Sequence, residues 1–253
     1  MNSNISSIYT QLLKLQDEAQ SKILSRFFKT NPGEYGANDY FLGIKVPVTR
    51  SVIQSAPLCD IEDLEPLVTS KWHEIRLAGL LMLIRIYKKN YSHKALNNRQ
   101  LIHDNRCYDY YLNHTQYINN WDLVDLTAPT IVGEWLFYLK SNNVDIMPEL
   151  LKLASSTNLW EQRIAIIGTL YFVRQNDFTP TITVITKNLY HKHDLIQKAN
   201  GWLLREIGKR NQEVEEEFLL KDNIYNSIPR TTLRYAIEKF EESKRLSYLK
   251  GTI

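Results

Sequence analysis

KWHEIRLAGLLMLIRIYKK (residues 71–89), NLWEQRIAIIGTLYFVR (158–174), QKANGWLLREIGKR (197–210) and PRTTLRYAIEKF (229–240) are variants of one helical pattern. The first two set a tryptophan, an arginine three or four residues on, an alanine two further and then an apolar run: Trp72, Arg76, Ala78 and Trp160, Arg163, Ala165. In the first, Leu77, Leu80, Leu81, Ile84 and Tyr87 recur at helical spacing and so share one face, with Arg76 and Arg85 towards its flanks. The basic anchors Arg76, Arg163, Lys198 and Arg234 fall 87, 35 and 36 residues apart, and the first gap leaves room for a further unit around residues 117–139. A period of about 35–45 residues belongs to HEAT-like and armadillo-like solenoids, each unit a pair of helices. Such a pair cannot cover its own apolar face, so units stack, bury a shared core and present a concave groove. A non-repetitive helical bundle is the competing reading.

The rest of the chain reads as helix too. Ile5, Ile8, Leu12, Leu15, Ala19, Ile23, Leu24 and Phe27 form an amphipathic stripe over residues 5–28, closed by Pro32 and Gly33. YFLGIKVPVTR (40–50) reads as a loop in which Pro47 opens a helix, where its missing N–H is harmless, and Pro66 does the same after Asp63. FTPTITVITKNL (178–189) has the β-branched residues of a strand, but no partner strand is near it. Pro180 can begin a helix there, with Ile182, Ile185 and Leu189 as its apolar positions. The expected fold class is all-α: a single domain over residues 1–253.

Composition narrows the class. Of 253 residues, 43% are hydrophobic and 23% charged, an ordinary globular balance. No run of 18 apolar residues argues for a membrane span, and MNSNISSIYTQLLKLQDEAQ lacks the basic and apolar blocks of a secretory signal. Two cysteines, Cys59 and Cys107, make neither a disulfide framework nor a cysteine metal cluster, which fits a cytoplasmic protein. His191 and His193 lack the further spaced ligands of a zinc site, and no phosphate-cradling glycine loop is present, so neither metal nor cofactor is expected. The acidic run Glu213 to Glu217 reads as a solvated face, and Trp72, Trp135 and Trp160 as packing between repeats. The net charge of +3 permits a phosphate-binding face without proving one.

YINNWDLVDLTAPTIVGEWL (117–136) carries the candidate chemistry. Asn120 is a good helix N-cap, and Trp121, Val124, Ala128 and Val132 follow along one helix, with Pro129 as a complication. Trp121 and Asp125 are four apart and so project from one face, one turn from each other. An acid there is costly unless it meets water, a partner or a ligand. The alternative is that Asp122 or Asp125 caps or salt-bridges a neighbouring helix.

WDLVD (121–125), FLGIKVP (41–47), LWEQRIA (159–165), QKANGWLLRE (197–206) and PRTTLRYAIEK (229–239) together resemble, in order, the motifs of the DNA alkylation repair family. These are the AlkD-like DNA glycosylases built from HEAT-like repeats. The resemblance spans roughly residues 10–240 and implies an α-solenoid with a concave DNA-binding groove. It places Asp125 at the catalytic carboxylate, and Trp121 and Trp202 at the aromatics flanking the lesion nucleotide. Arg163 falls at the arginine that contacts the backbone near the lesion, and Arg205 at a further phosphate contact. Tyr35, one residue off the family's spacing to FLGI, is the nearest counterpart of a tyrosine lining the site.

The implied reaction is excision of positively charged alkylpurines, 7-alkylguanine and 3-alkyladenine, from double-stranded DNA in base excision repair. An alkylated purine is an activated leaving group, so the site needs an anion beside the sugar cation and a positioned water, not a general acid. Indole faces favour the same cation. With no Schiff-base lysine evident beside Asp125, the product would be an abasic site. The resemblance implies a monomer, nucleoid-associated when bound to DNA, that acts while the lesion stays stacked. Two rivals remain: a noncatalytic DNA-binding relative that reads backbone shape or branched DNA, and a protein-binding solenoid.

Overall fold

A computed structural model describes residues 2–96 and 104–253. Among them no β-strand forms, and a one-residue bridge joins Tyr40 to Trp72. The all-α expectation holds. No helix of the described residues is long and apolar enough to cross a membrane. The chain divides into two compact units, Met1–Thr127 and Ala128–Ile253.

The first unit holds α1 (Ser3–Lys14), α2 (Glu18–Phe27), α3 (Val46–Ser55), α4 (Glu65–Val68), α5 (His73–Asn90), α6 (His93–Leu96), α7 (Arg106–Asn113) and α8 (Trp121–Ala128), whose last residue crosses the boundary. Its axis is α5, buried from His73 to Ile84: Ile75, Leu77, Ala78, Leu80, Met82 and Leu83 are each at most 1% exposed. Helices α1, α3 and α4 pack around it. Pro47 and Pro66 sit in the first turns of α3 and α4, as expected.

The stripe over residues 5–28 is not one helix. Leu15 caps α1, and Asp17 starts α2 by accepting the Gln20 amide at 2.9 Å. An N-capping aspartate gives the backbone a local alternative to continuing the helix. The two halves fare differently. Ile5, Ile8 and Leu12 are buried, while Ile23 and Phe27 are 60% and 61% exposed and α2 buries no residue. Polar bonds hold α2 in place: Asp17 N–H donates to Leu42 O (2.9 Å) and Ser21 Oγ to Phe41 O (2.7 Å).

The loop that receives them is built around Glu74. Its buried carboxylate accepts the amides of Leu42 (2.8 Å), Gly43 (2.8 Å) and Ile44 (3.1 Å). Gly43 has φ +88°, and a Cβ there would run into the Asp17 carbonyl, so FLGI needs its glycine.

The second unit begins with a π-helical stretch, Pro129–Gly133. Pro129 has no N–H for the carbonyl four residues back, which is where an α-helical ladder gives way. There follow α9 (Glu134–Ser141), α10 (Met147–Ala154), α11 (Leu159–Gly168), α12 (Leu170–Arg174), α13 (Thr179–Lys187), α14 (Asp194–Gly208), α15 (Gln212–Leu220), α16 (Ile224–Ser227), α17 (Arg230–Ala236) and α18 (Glu242–Lys250). Residues 158–174 are two helices divided at Thr169, whose hydroxyl bonds Ile166 O at 2.6 Å. The β-branched segment is helical, as α13, with Pro180 in its first turn. Thr183 and Thr186 return their hydroxyls to the carbonyls of Thr179 and Ile182 (2.9 and 2.8 Å), and Val184 and Ile185 face the core.

Helix α14 packs against α11 and α17. Gly201 lets α17 approach, since a Cβ there would meet the Thr232 carbonyl. The acidic run lies in α15 and corrects the reading of a wholly solvated face: Glu215 is 2% exposed. It points back at Gly208, where a Cβ would strike its carboxyl group.

Candidate active site

Helix α8 carries the two aspartates of WDLVD, and they differ. Asp122 is 7% exposed, while Asp125 and Trp121 are partly exposed. Asp122 Oδ2 lies 2.8 Å from Nε2 of His73, itself 2% exposed, and Nδ1 of His73 lies 3.0 Å from Asp39 Oδ2. Both ring nitrogens therefore face carboxylates and both carry protons. Burial alone would lower the His73 pKa, but Asp122 and then Asp39 outweigh it and raise the value to about 9. Burial likewise opposes ionisation of Asp39, yet His73 and Arg76 hold its pKa below the usual range.

The network continues to the loop before α8. Asp39 Oδ1 accepts Arg76 Nη2 at 2.5 Å, and its Oδ2 is 3.3 Å from Asn120 Nδ2. Arg76 also donates to Asn119 Oδ1 (3.1 Å) and to the carbonyls of Ser70 and Lys71 (3.0 and 3.2 Å). Two carboxylates, an imidazolium and a guanidinium sum to zero charge, the condition under which buried ions are tolerated. Asn120 Oδ1 accepts the Trp121 amide at 2.9 Å. The other end of α8 is held by Thr127, which donates to Leu123 O (2.5 Å) and accepts from the buried Tyr111 hydroxyl (2.7 Å). Burial, and to a lesser degree the charge of Asp125, push the Tyr111 pKa up, so that hydroxyl keeps its proton.

A run of rings links this network to Trp121. Phe41 stacks on His73 (centroids 4.6 Å apart), Phe28 stacks on Phe41 (5.0 Å), and Trp121 leans on Phe28 (5.4 Å). Phe27 meets the indole edge-on at 5.9 Å. Phe27 is thus a residue of the site that sequence reading missed. It stood in the amphipathic stripe as an expected core residue, and only its exposure distinguishes it. Tyr35 is partly exposed, with Lys29 Nζ 6.0 Å from its ring centroid.

The remaining candidates lie in the second unit. Trp202 is partly exposed on α14, with Nε1 donating to Glu206 Oε1 at 3.1 Å. Arg205, one turn on, pairs with Glu238. Arg163 is 5% exposed and gives Nη1 to Leu195 O at 2.5 Å, so it braces the start of α14. Among the described residues no group of three His, Cys, Asp or Glu side chains is placed to hold a metal ion.

The sequence model of the family described as DNA alkylation repair enzyme matches residues 8–240. This chain belongs to that family. The solved structure described as "Predicted DNA alkylation repair enzyme from Enterococcus faecalis" is similar to it, with a TM-score of 0.61. The two are 16% identical, over 90% of this chain and 97% of that one, which shows a shared fold. The chain matches none of the curated proteins.

The motifs of this DNA alkylation repair family member now divide by task. FLGIKVP supplies the amides that satisfy Glu74, and its Phe41 seats His73. KANGW supplies the small residue over which α14 meets α17. In WDLVD, Asp122 salt-bridges the buried His73, and Asp125 and Trp121 are both partly exposed.

Proposed function

We propose that this family member is a monofunctional DNA glycosylase. It hydrolyses the N-glycosidic bond of positively charged alkylpurines in duplex DNA and leaves an abasic site. It works as one HEAT-like repeat domain over residues 1–253, as a monomer, with no metal or cofactor in the reaction. The observation that carries this is the pairing of Asp125 with Trp121 on a helix held at both ends, with the second acid of the motif already committed to His73.

An alkylated purine leaves with the glycosidic electron pair and becomes neutral as it does so. The sugar becomes an oxocarbenium-like cation. The Asp125 carboxylate lies beside that cation, lowers its energy, and takes the proton of the water that adds to C1′. The indole of Trp121 and the exposed ring of Phe27 present π-faces and edges to the same sugar. The roles of Trp202 against the lesion nucleotide, of Arg163 and Arg205 against phosphates and of Tyr35 at the site come from the family resemblance. Arg205 would exchange its Glu238 partner for a phosphate.

Asp125→Asn tests the reading in single-turnover release of 7-methylguanine from duplex DNA. Loss of the carboxylate should slow release by about 10²-fold or more while duplex binding persists. Full release by the variant ends the mechanism. Tight binding by the wild type without any release favours the noncatalytic DNA-binding relative.

A further inference from the structure

The first turn of α8 is held by groups that the excision step does not itself use. His73 sits 49 residues before Asp122 in the chain and reaches the candidate site by two independent routes. One is the hydrogen bond to Asp122, three residues before Asp125 on the same helix and hence its neighbour on the helix surface. The other is the ring stack through Phe41 and Phe28 to Trp121. We propose that His73 is a positioning residue of the site, fixing through Asp122 and the ring stack how Trp121 and Asp125 face the DNA. This rests on the excision reading above.

The argument is one of directionality. An apolar side chain in place of His73 would fill the same space and still let α8 rotate about its axis or slide along it. Two charge-assisted hydrogen bonds from one rigid ring fix angle as well as distance. The acceptors are themselves fixed. Asp39 is held by Arg76 and Asn120, and Arg76 also grips Asn119, so the residues leading into α8 belong to the same unit of structure. An electrostatic catalyst depends on such support, because a carboxylate displaced by about 1 Å can forfeit about 10²-fold in rate.

The test uses the full chain with His73→Gln and Asp122→Asn, tryptophans replaced by 5-fluorotryptophan, and the Trp121 fluorine signal assigned by Trp121→Phe. Glutamine can donate to one carboxylate only and turns its oxygen toward the other. The asparagine amide can still donate to a neutral His73 ring, so it acts as the conservative variant. His73→Gln should lower the single-turnover release of 7-methylguanine by about 10²-fold. Its affinity for duplex with a tetrahydrofuran abasic analogue should stay within about threefold of wild type. The Trp121 fluorine resonance should move, and Asp122→Asn should lose less on each readout. A role in folding alone would lower binding and rate by one factor and leave the Trp121 signal of the folded fraction in place, and that result overturns the proposal. So does a wild-type rate with an unmoved signal. If His73→Gln does not fold, Asp122→Asn decides on the same two readouts. If the wild type releases no base, the excision reading falls, and the Trp121 signal alone decides the positioning.

Discussion

Replacing Glu215 with glutamine should make the folded chain more stable at neutral pH. The carboxyl group is 2% exposed between α15 and Gly208, and among the described residues no hydrogen-bond partner reaches Oε1. Burial, with Glu216 adding to it, raises its pKa from 4.5 to about 9 against the opposing pull of Arg205. Between those two values the native state keeps a proton that the unfolded chain has released, so stability falls as pH climbs through that window. At pH 7 the unfolded chain is 2.5 units above the ordinary value, which at about 1.4 kcal/mol per unit puts the native state at a disadvantage of about 3 kcal/mol. Glutamine keeps the neutral shape and removes the titration. Urea unfolding of wild type and Glu215→Gln should therefore nearly coincide at pH 4.5 and separate by about 3 kcal/mol at pH 7, the variant being the more stable. The gap should widen further by pH 8.5. The reasoning is refuted if the variant is the weaker protein at pH 7, or if the two curves run parallel in pH. Either would mean that Glu215 is ionised in the native state, with Arg205 as its counter-charge.

Two further substitutions separate support from contact. Glu74→Gln leaves an amide facing at least one of the three backbone donors of Leu42, Gly43 and Ile44, and should cost about 3 kcal/mol in urea unfolding; a loss under about 0.5 kcal/mol would show that the loop does not depend on the carboxylate. Phe27→Ala removes a ring that is 61% exposed, so unfolding should change by less than about 1 kcal/mol, while 7-methylguanine release slows about fivefold through lost contact with the sugar cation; an unchanged release rate would take Phe27 out of the site.

The helices were legible because each carries a local apolar periodicity, with small residues among its buried positions. Ala78, Ala165, Ala199 and Ala236 are all buried, and Gly201 beside them lets α17 in. The breaks were less legible. Asp17 ends the first stripe with one side-chain bond, and Thr169 divides α11 from α12 in the same economical way, though neither interrupts the apolar pattern. The exposure of Ile23 and Phe27 was hidden for a related reason. A hydrophobic face records what a helix could bury, and α2 is anchored instead by polar bonds to the backbone of Phe41 and Leu42. Glu215 shows the converse, a charged-looking position that helix packing takes out of water.

The site required more than the motif that marks it. WDLVD holds two acids three residues apart, and local chemistry treats them alike. Their separation into an anchored residue and a partly exposed one depends on His73 and, 34 residues before that, on Asp39. Neither stood out in the chain: His73 opens a buried helix, and Asp39 lies in a polar loop. Arg163 likewise has a distant partner that its motif does not contain, the carbonyl of Leu195, which accepts its Nη1. A charged residue in a short motif is therefore incompletely read until its distant partners are known.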